Sequence, residues 1–331
     1  MNRSIHIVAV VALVAAACSS STGGDANPDL VQVATTVSPV TNIVQNIGGA
    51  RVQVTGIVPE GTNSHTFEPA PSDAAVMADA DIVFVNGLHL EEPTRELADA
   101  NVRDGVPVVS LGELTIAPEQ YIYDFSFPEA AGDPNPHLWT NPVYAERYAE
   151  IVTGELTKVD PQGADTYAAN LAAFSKRIGQ LDAAVREVTA TVPESNRKLL
   201  TYHDSFPYFA REYGWLIIGA IQPSDFADPT PQEVAGLIDQ IRAEQLPAIF
   251  GSEVFPSPVL EQIASETGAR YVDALRDDDL PGENGDADHS YFGLMVFDFK
   301  TFMGALGGDT AAFDDVALSN VSSGDTANYR Y

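Results

Sequence analysis

Six histidines occur in this 331-residue chain, and three of them share a setting that suits chemistry. His65 lies in the loop after a β-rich run ending near Val58, and His203 directly follows the run Lys198 to Tyr202. His137 sits in a proline-rich loop just before the helix start Asn141-Pro142. Asp273 directly follows a further apolar run, Ala269 to Val272. Loops at the carboxyl ends of strands are where open α/β sheets bind ligands. Neutral imidazole and carboxylate suit a first-row divalent metal, and three nitrogens with one oxygen form a tetrahedral set typical of zinc. Each histidine alone is more often a hydrogen-bonded structural residue than a metal ligand. It is their number and shared placement that point to a metal, because spacings of about seventy residues carry little information.

These side chains need a scaffold that brings distant loops together. From Asp29 onward short β-rich runs alternate with helical patterns: Val31 to Val37, Val52 to Val58, Ile82 to Val85 and Val106 to Ser110 read as strands, with helices between them. That order predicts βα units and a mostly parallel sheet. A second set follows, with strands at Lys198 to Tyr202, Trp215 to Ala220, Ala248 to Ser252 and Ala269 to Val272, closed by a helix over Tyr291 to Leu306. Between the sets, Leu171, Phe174, Ile178, Leu181, Val185, Val188 and Val192 fall at alternating steps of three and four, one stripe of a long helix. The expected organisation is an N-terminal lobe over 29–160, a rigid connecting helix over 161–193, a C-terminal lobe over 194–308 and an acidic tail over 309–331.

Charge and the N-terminus bound the setting. Seventeen Lys and Arg face 47 Asp and Glu, a formal net charge of −30, which repels nucleic acid and anionic lipid and concentrates cations. Arg3 followed by the apolar run Ile5 to Ala17 reads as a signal peptide over 1–17, too short to span a membrane. Cys18, the sole cysteine, follows Ala15, Ala16 and Ala17 and cannot form an internal disulfide. Its place resembles a bacterial lipobox, with Ala15 where a Leu is usual, so a lipid anchor is expected at Cys18 and a flexible tether over 18–28. Ordinary signal cleavage beside an incidental cysteine is the other reading. The remainder is expected outside the cytoplasm, as a monomer.

Five segments carry a family resemblance. GTNSHTFEPAPSD (Gly61 to Asp73), NGLHLE (Asn86 to Glu91), NPHLWTNP (Asn135 to Pro142), YHDSFPYFAREYG (Tyr202 to Gly214) and YVDALRDD (Tyr271 to Asp278) resemble, in order, motifs of the zinc- and manganese-binding proteins of metal ABC importers. The resemblance covers residues 30 to 308. It implies two α/β lobes joined by one long helix, with metal in the cleft between them. It also implies His65, His137, His203 and Asp273 as ligands, an ABC-type permease in the membrane as partner, and no catalysis. In that family the third ligand separates metals, Glu going with Mn2+ and His with Zn2+. His203 therefore implies zinc, with manganese the alternative.

Two features depart from the family pattern. Gly112 to Pro136 holds no histidine, so a histidine-rich metal-gathering loop is absent. Asp273 to Asp288 holds seven carboxylates with Arg276 as the only base, and His289 at its end. That stretch reads as a solvated acidic loop or as a weak second cation site. His89 is expected at the cleft lining or surface, and Glu253 as a carboxylate orienting a ligand histidine. Two other classes stay open: a secreted zinc hydrolase, which needs an open water position and a general base, and a metal-assisted adhesin. Histidine ligation itself predicts that affinity falls as pH drops through roughly 6.5.

Overall fold

The computed structural model describes residues 30–222, 229–252, 257–324 and 327–330. The signal peptide, the Cys18 anchor, the tether and Glu253 lie outside these residues. The N-terminal lobe runs β1 (Val31–Thr35), α1 (Ser38–Gly48), β2 (Val52–Gly56), α2 (Asp73–Asp79), β3 (Ile82–Val85), α3 (Glu92–Asn101), β4 (Val108–Ser110) and α4 (Leu111–Thr115). Then come α5 (Pro142–Val159) and the long α6 (Ala164–Thr191). The C-terminal lobe follows as β5 (Lys198–Thr201), α7 (Pro207–Tyr213), β6 (Leu216–Ala220), α8 (Pro231–Glu244), β7 (Ala248–Ser252), α9 (Pro258–Thr267), β8 (Arg270–Leu275) and α10 (Tyr291–Ala305).

Each lobe carries a four-stranded sheet with every pairing parallel, in the orders β2-β1-β3-β4 and β6-β5-β7-β8. Both sheets reverse winding direction beside their first strand, which opens a crevice at the carboxyl ends there. The two α/β lobes expected from sequence are therefore present, and they share one topology.

The helix between them forms for the reasons its stripe predicts. Phe174, Ile178, Leu181, Val185 and Val188 are all buried on one side of α6, while Ala172, Lys176, Gly179 and Arg186 face outward. Its 28 residues span about 42 Å at ~1.5 Å per residue. The buried stripe packs against α5 and α1 of the first lobe and against α10 and α7 of the second. One continuous apolar core therefore runs from Val33 through Phe174 to Phe302. Opening the lobes would have to break this shared core, so the connector works as a stiff spine.

Asn141 shows how sequence starts the neighbouring helix. Its Oδ1 accepts from the Val143 amide at 3.0 Å, capping α5 at the residue before Pro142. Within α6, Gly179 has open space where a Cβ would stand. An exposed helical glycine costs roughly 0.5–1 kcal/mol relative to alanine. Gly179→Ala is therefore expected to raise unfolding free energy by about that amount, measured by urea denaturation, with the metal-binding behaviour of the cleft unchanged.

Candidate metal centre

Three loops from both lobes meet between the sheets. His65 stands in the segment joining β2 to α2, and its amide donates to Asn63 Oδ1 at 2.9 Å, an Asx turn that sets the backbone there. His203 follows β5 at the second sheet's switch point. His137 precedes a short 3-10 turn, Leu138–Thr140, that leads into α5.

The NPHLWTNP segment is the seam between lobes as well as the carrier of His137. Thr140 Oγ1 donates to the Ser205 carbonyl at 2.9 Å, and Asn141 Nδ2 to the Tyr208 carbonyl at 3.2 Å. Trp139 Nε1 donates to the Asp277 carbonyl at 3.0 Å, while Tyr291 Oη donates to the Trp139 carbonyl at 2.9 Å. Tyr208 Oη donates to the Asn135 carbonyl at 2.9 Å. From the first sheet, Asn86 Nδ2 donates to the Pro136 carbonyl at 3.0 Å and its Oδ1 accepts from Tyr148 Oη at 2.7 Å. Buried hydrogen bonds of this kind fix one register between the lobes, because breaking one strands a polar group away from water.

The imidazoles converge through their Nε2 atoms. His137 Nε2 lies 3.3 Å from His65 Nε2 and 3.3 Å from His203 Nε2. All three offer ligand atoms within 4.8 Å of one another, the one such group of three or more metal-capable side chains among the described residues. A tetrahedral ion with metal–nitrogen bonds of ~2.0–2.1 Å separates its ligand nitrogens by about 3.3–3.4 Å, so this spacing fits one ion at their centre.

The tautomer fits as well. Asn135 Nδ2 donates to Asp124 Oδ2 and to the Asp204 carbonyl, which fixes the amide's orientation. Its Oδ1 can then only accept, so His137 Nδ1–H donates to it at 2.9 Å and Nε2 is left with its lone pair toward the site. Burial holds the His65 imidazole well below its ordinary pKa, with His203 adding to the effect. His137 is likewise held well below by burial and then by His203 and His65. His203 is lowered to about 4 by burial, opposed by the Gln222 side chain. All three are neutral in the folded protein at pH 7, the form a metal needs. Phe127 caps the group, its ring centroid 5.4, 5.7 and 5.5 Å from those of His65, His137 and His203.

Asp273 does not join the three histidines here. Strand β8 continues past Val272 to Leu275, so Asp273 lies within the strand, paired with Gly251 and exposed, rather than in a strand-exit loop. A Cβ on Gly251 would come within 2.6 Å of Tyr271 Oη and 2.7 Å of Asp273 Oδ1, so the glycine permits these two groups to sit over that strand. Two other carboxyls lie against the ligand loops. Asp204, next to His203, is pushed well above its ordinary carboxylate pKa by burial and by Asp124. Asp278 faces Ser64, the neighbour of His65, and burial pushes it up to about 6.

The remaining histidines are elsewhere. His89 is exposed, at φ 64°, with Nδ1 3.2 Å from Glu92 and Nε2 3.9 Å from Asp133 on the surface. His289 is buried against the Tyr329 ring at 4.6 Å, with Nε2 3.9 Å from Glu60 Oε1. Phe127, Asn135, Asn86 and Tyr208 are the contributors that sequence reading did not single out. Three of them sit inside quoted motifs, where an asparagine reads as a turn or cap residue and a tyrosine as packing; Phe127 lies outside them.

Two α/β lobes on a helical spine with a trihistidine site in the cleft define a binding protein for a divalent metal. The family model for the periplasmic component A of zinc-uptake complexes matches residues 33–305, and the chain belongs to that family. The iron-binding protein YfeA of Yersinia pestis is 30% identical over 281 residues, covering 84% of this chain and 88% of that one. The manganese-binding lipoprotein MntA of Halalkalibacterium halodurans is 28% identical over 305 residues, covering 91% and 97%. Among solved structures, the periplasmic zinc binding protein TroA from Treponema pallidum superposes with a TM-score of 0.75 at 25% identity, over 83% of this chain and 98% of that one. The relatives' names carry three different metals, so kinship defines the class of cargo and leaves the ion open.

The pKa directions give a test on the protein without metal. A histidine whose folded pKa is lowered stabilises the fold above its unfolded value near 6.5 and loses that contribution as pH falls toward the folded value. The raised carboxyls Asp204, Asp278 and Asp124 run the other way, so a difference measurement reports the His203 imidazole together with its coupling to His65 and His137. Wild type minus His203→Gln should lose up to about 3 kcal/mol of unfolding free energy between pH 6.5 and 4. A pH-independent difference would contradict a buried neutral His203.

Proposed function

We propose that this protein captures zinc outside the cytoplasm and hands it to an ABC-type membrane importer. The observation that carries the reading is the pair of 3.3 Å Nε2 separations about His137, across a site drawn from both lobes. His65, His137 and His203 are the proposed ligands. Three imidazoles favour zinc over manganese, which prefers harder oxygen donors.

Capture requires no bond-making in a substrate. Asn135 holds His137 in the tautomer that presents a lone pair, Phe127 covers the ligands, and the spine of α6 limits how far the lobes separate. Release therefore falls to the membrane partner, which would have to strain the seam between the lobes. A hydrolase would need a base beside the metal.

Asp273 is proposed as an outer contributor whose carboxylate comes to the metal only if the second lobe shifts on loading. A lipid anchor at Cys18, retention at the membrane and a monomeric state complete the proposal.

Because burial lowers the folded imidazoles, proton competition in the metal-free site is displaced below the unperturbed range near 6.5, toward about 4 for His203. Competition binding on the mature protein tests the whole reading. Wild type is expected to hold one equivalent of zinc more tightly than micromolar and to prefer it to manganese. His203→Ala should weaken binding by at least a hundredfold, and Asp273→Ala by less than any of the three histidine variants. Preference for manganese would overturn the metal, and absence of tight binding would overturn the function.

A further inference from the structure

The chain continues beyond the last residue of the family match, and its C-terminal segment returns to the first lobe. After α10, the Leu318 carbonyl accepts from Ser290 Oγ, and Val321 N donates to Asn46 Oδ1 at 2.7 Å while Asn46 Nδ2 donates to Asn320 Oδ1 at 2.9 Å. Gln45 Nε2 donates to the Gly324 carbonyl at 2.7 Å. Asn328 then lies parallel beside β2, the edge strand, donating to the Val54 carbonyl at 2.8 Å and accepting from Gly56 N at 3.1 Å. Tyr329 is buried, and its Oη accepts from Asn42 Nδ2 at 2.9 Å.

Arg330 comes next and touches both ends of the loop that carries His65. Its carbonyl accepts from the Glu60 amide at 2.9 Å. Its guanidinium pairs with Asp73 Oδ1, where the aspartate side chain is 2% exposed and the arginine 29%. Asp73 Oδ2 accepts from the Ala70 amide at 2.9 Å, so the same carboxylate also shapes the loop's exit into α2. Removing one partner of a buried ion pair is strongly destabilising. On the cleft side, Gly61 N donates to Asp279 Oδ2 at 2.8 Å.

We propose that Arg330 is a positioning residue for the metal site: it clamps residues 60 and 73 together and thereby holds His65 against His137 and His203. The clamp rests on the metal reading for its purpose, but its mechanical part can be measured without metal. Loss of the guanidinium leaves Asp73 buried and unpaired, so the loop opens and His65, the ligand on that loop, leaves first. Zinc release should then accelerate while capture, which depends on encounter with the open cleft, changes little.

The test uses the full mature protein with zinc as the probe. Arg330→Ala is expected to speed amide hydrogen exchange across residues 60–73 at least tenfold in the metal-free protein, and to speed zinc release to a chelator about tenfold. Arg330→Lys, which keeps a cation for Asp73, should recover most of both. Asp73→Asn should add little to Arg330→Ala, since the two act as one pair. Asn320→Ala removes a strap contact away from the loop. It should lower the apo Tm without changing exchange at 60–73 or zinc release.

Exchange across 60–73 within twofold of wild type in Arg330→Ala would overturn the clamp. So would an Asn320→Ala variant that matched Arg330→Ala, because the tail would then act only through global stability. If wild type bound no zinc, the metal reading would fall while the exchange comparison still decided the clamp.

Discussion

Three imidazoles crowd their Nε2 atoms about one buried point, and the rest of the structure is arranged to hold them there. His137 is the centre of that arrangement, 3.3 Å from each of its neighbours. Its ring is oriented by Asn135, whose own amide is fixed by Asp124 and the Asp204 backbone. Low pKa values follow from the same crowding and burial. A site that excludes its own protons near neutrality is one a cation can enter without displacing them.

The lobes matter because the proposed ligands come from both sides. If the two sheets could swing freely, the His203 Nε2 would not stay at bonding distance from a metal held by His65 and His137. Two features oppose such motion. The hydrophobic stripe of α6 is shared by helices of both lobes, and the segment from Asn135 to Pro142 is laced to the second lobe by hydrogen bonds from Thr140, Asn141 and Trp139. Residues that look like a ligand motif in sequence therefore serve equally as the joint of the molecule.

Family membership and geometry answer different questions. Kinship with proteins named for zinc, manganese and iron establishes that the chain belongs to metal-uptake binding proteins. Donor chemistry is what distinguishes one ion from another, and the zinc proposed above rests on the third imidazole rather than on kinship. The acidic surface adds a general attraction for cations but no selectivity. The tail after residue 305 lies past the family match, and its hydrogen bonds to α1 and β2 show how an exposed sheet edge and a helix end offer an acidic tail polar partners.

The sequence by itself determined the alternation of strands and helices, the stripe of α6 and the three histidines, because these depend on local periodicity and on residue chemistry that no fold can alter. Tertiary structure decided where Asp273 stands relative to the three histidines. Asp273 reads as a strand-exit residue, yet β8 extends through it and its pairing with Gly251 leaves it exposed. A boundary shift of three residues is enough to place a side chain within a strand rather than in its exit loop, and such shifts are set by pairing with the neighbouring strand rather than by local preference. The same holds for Phe127, for Asn135 as the orienting amide and for Arg330. Their partners lie far away along the chain, so only the folded arrangement brings them together.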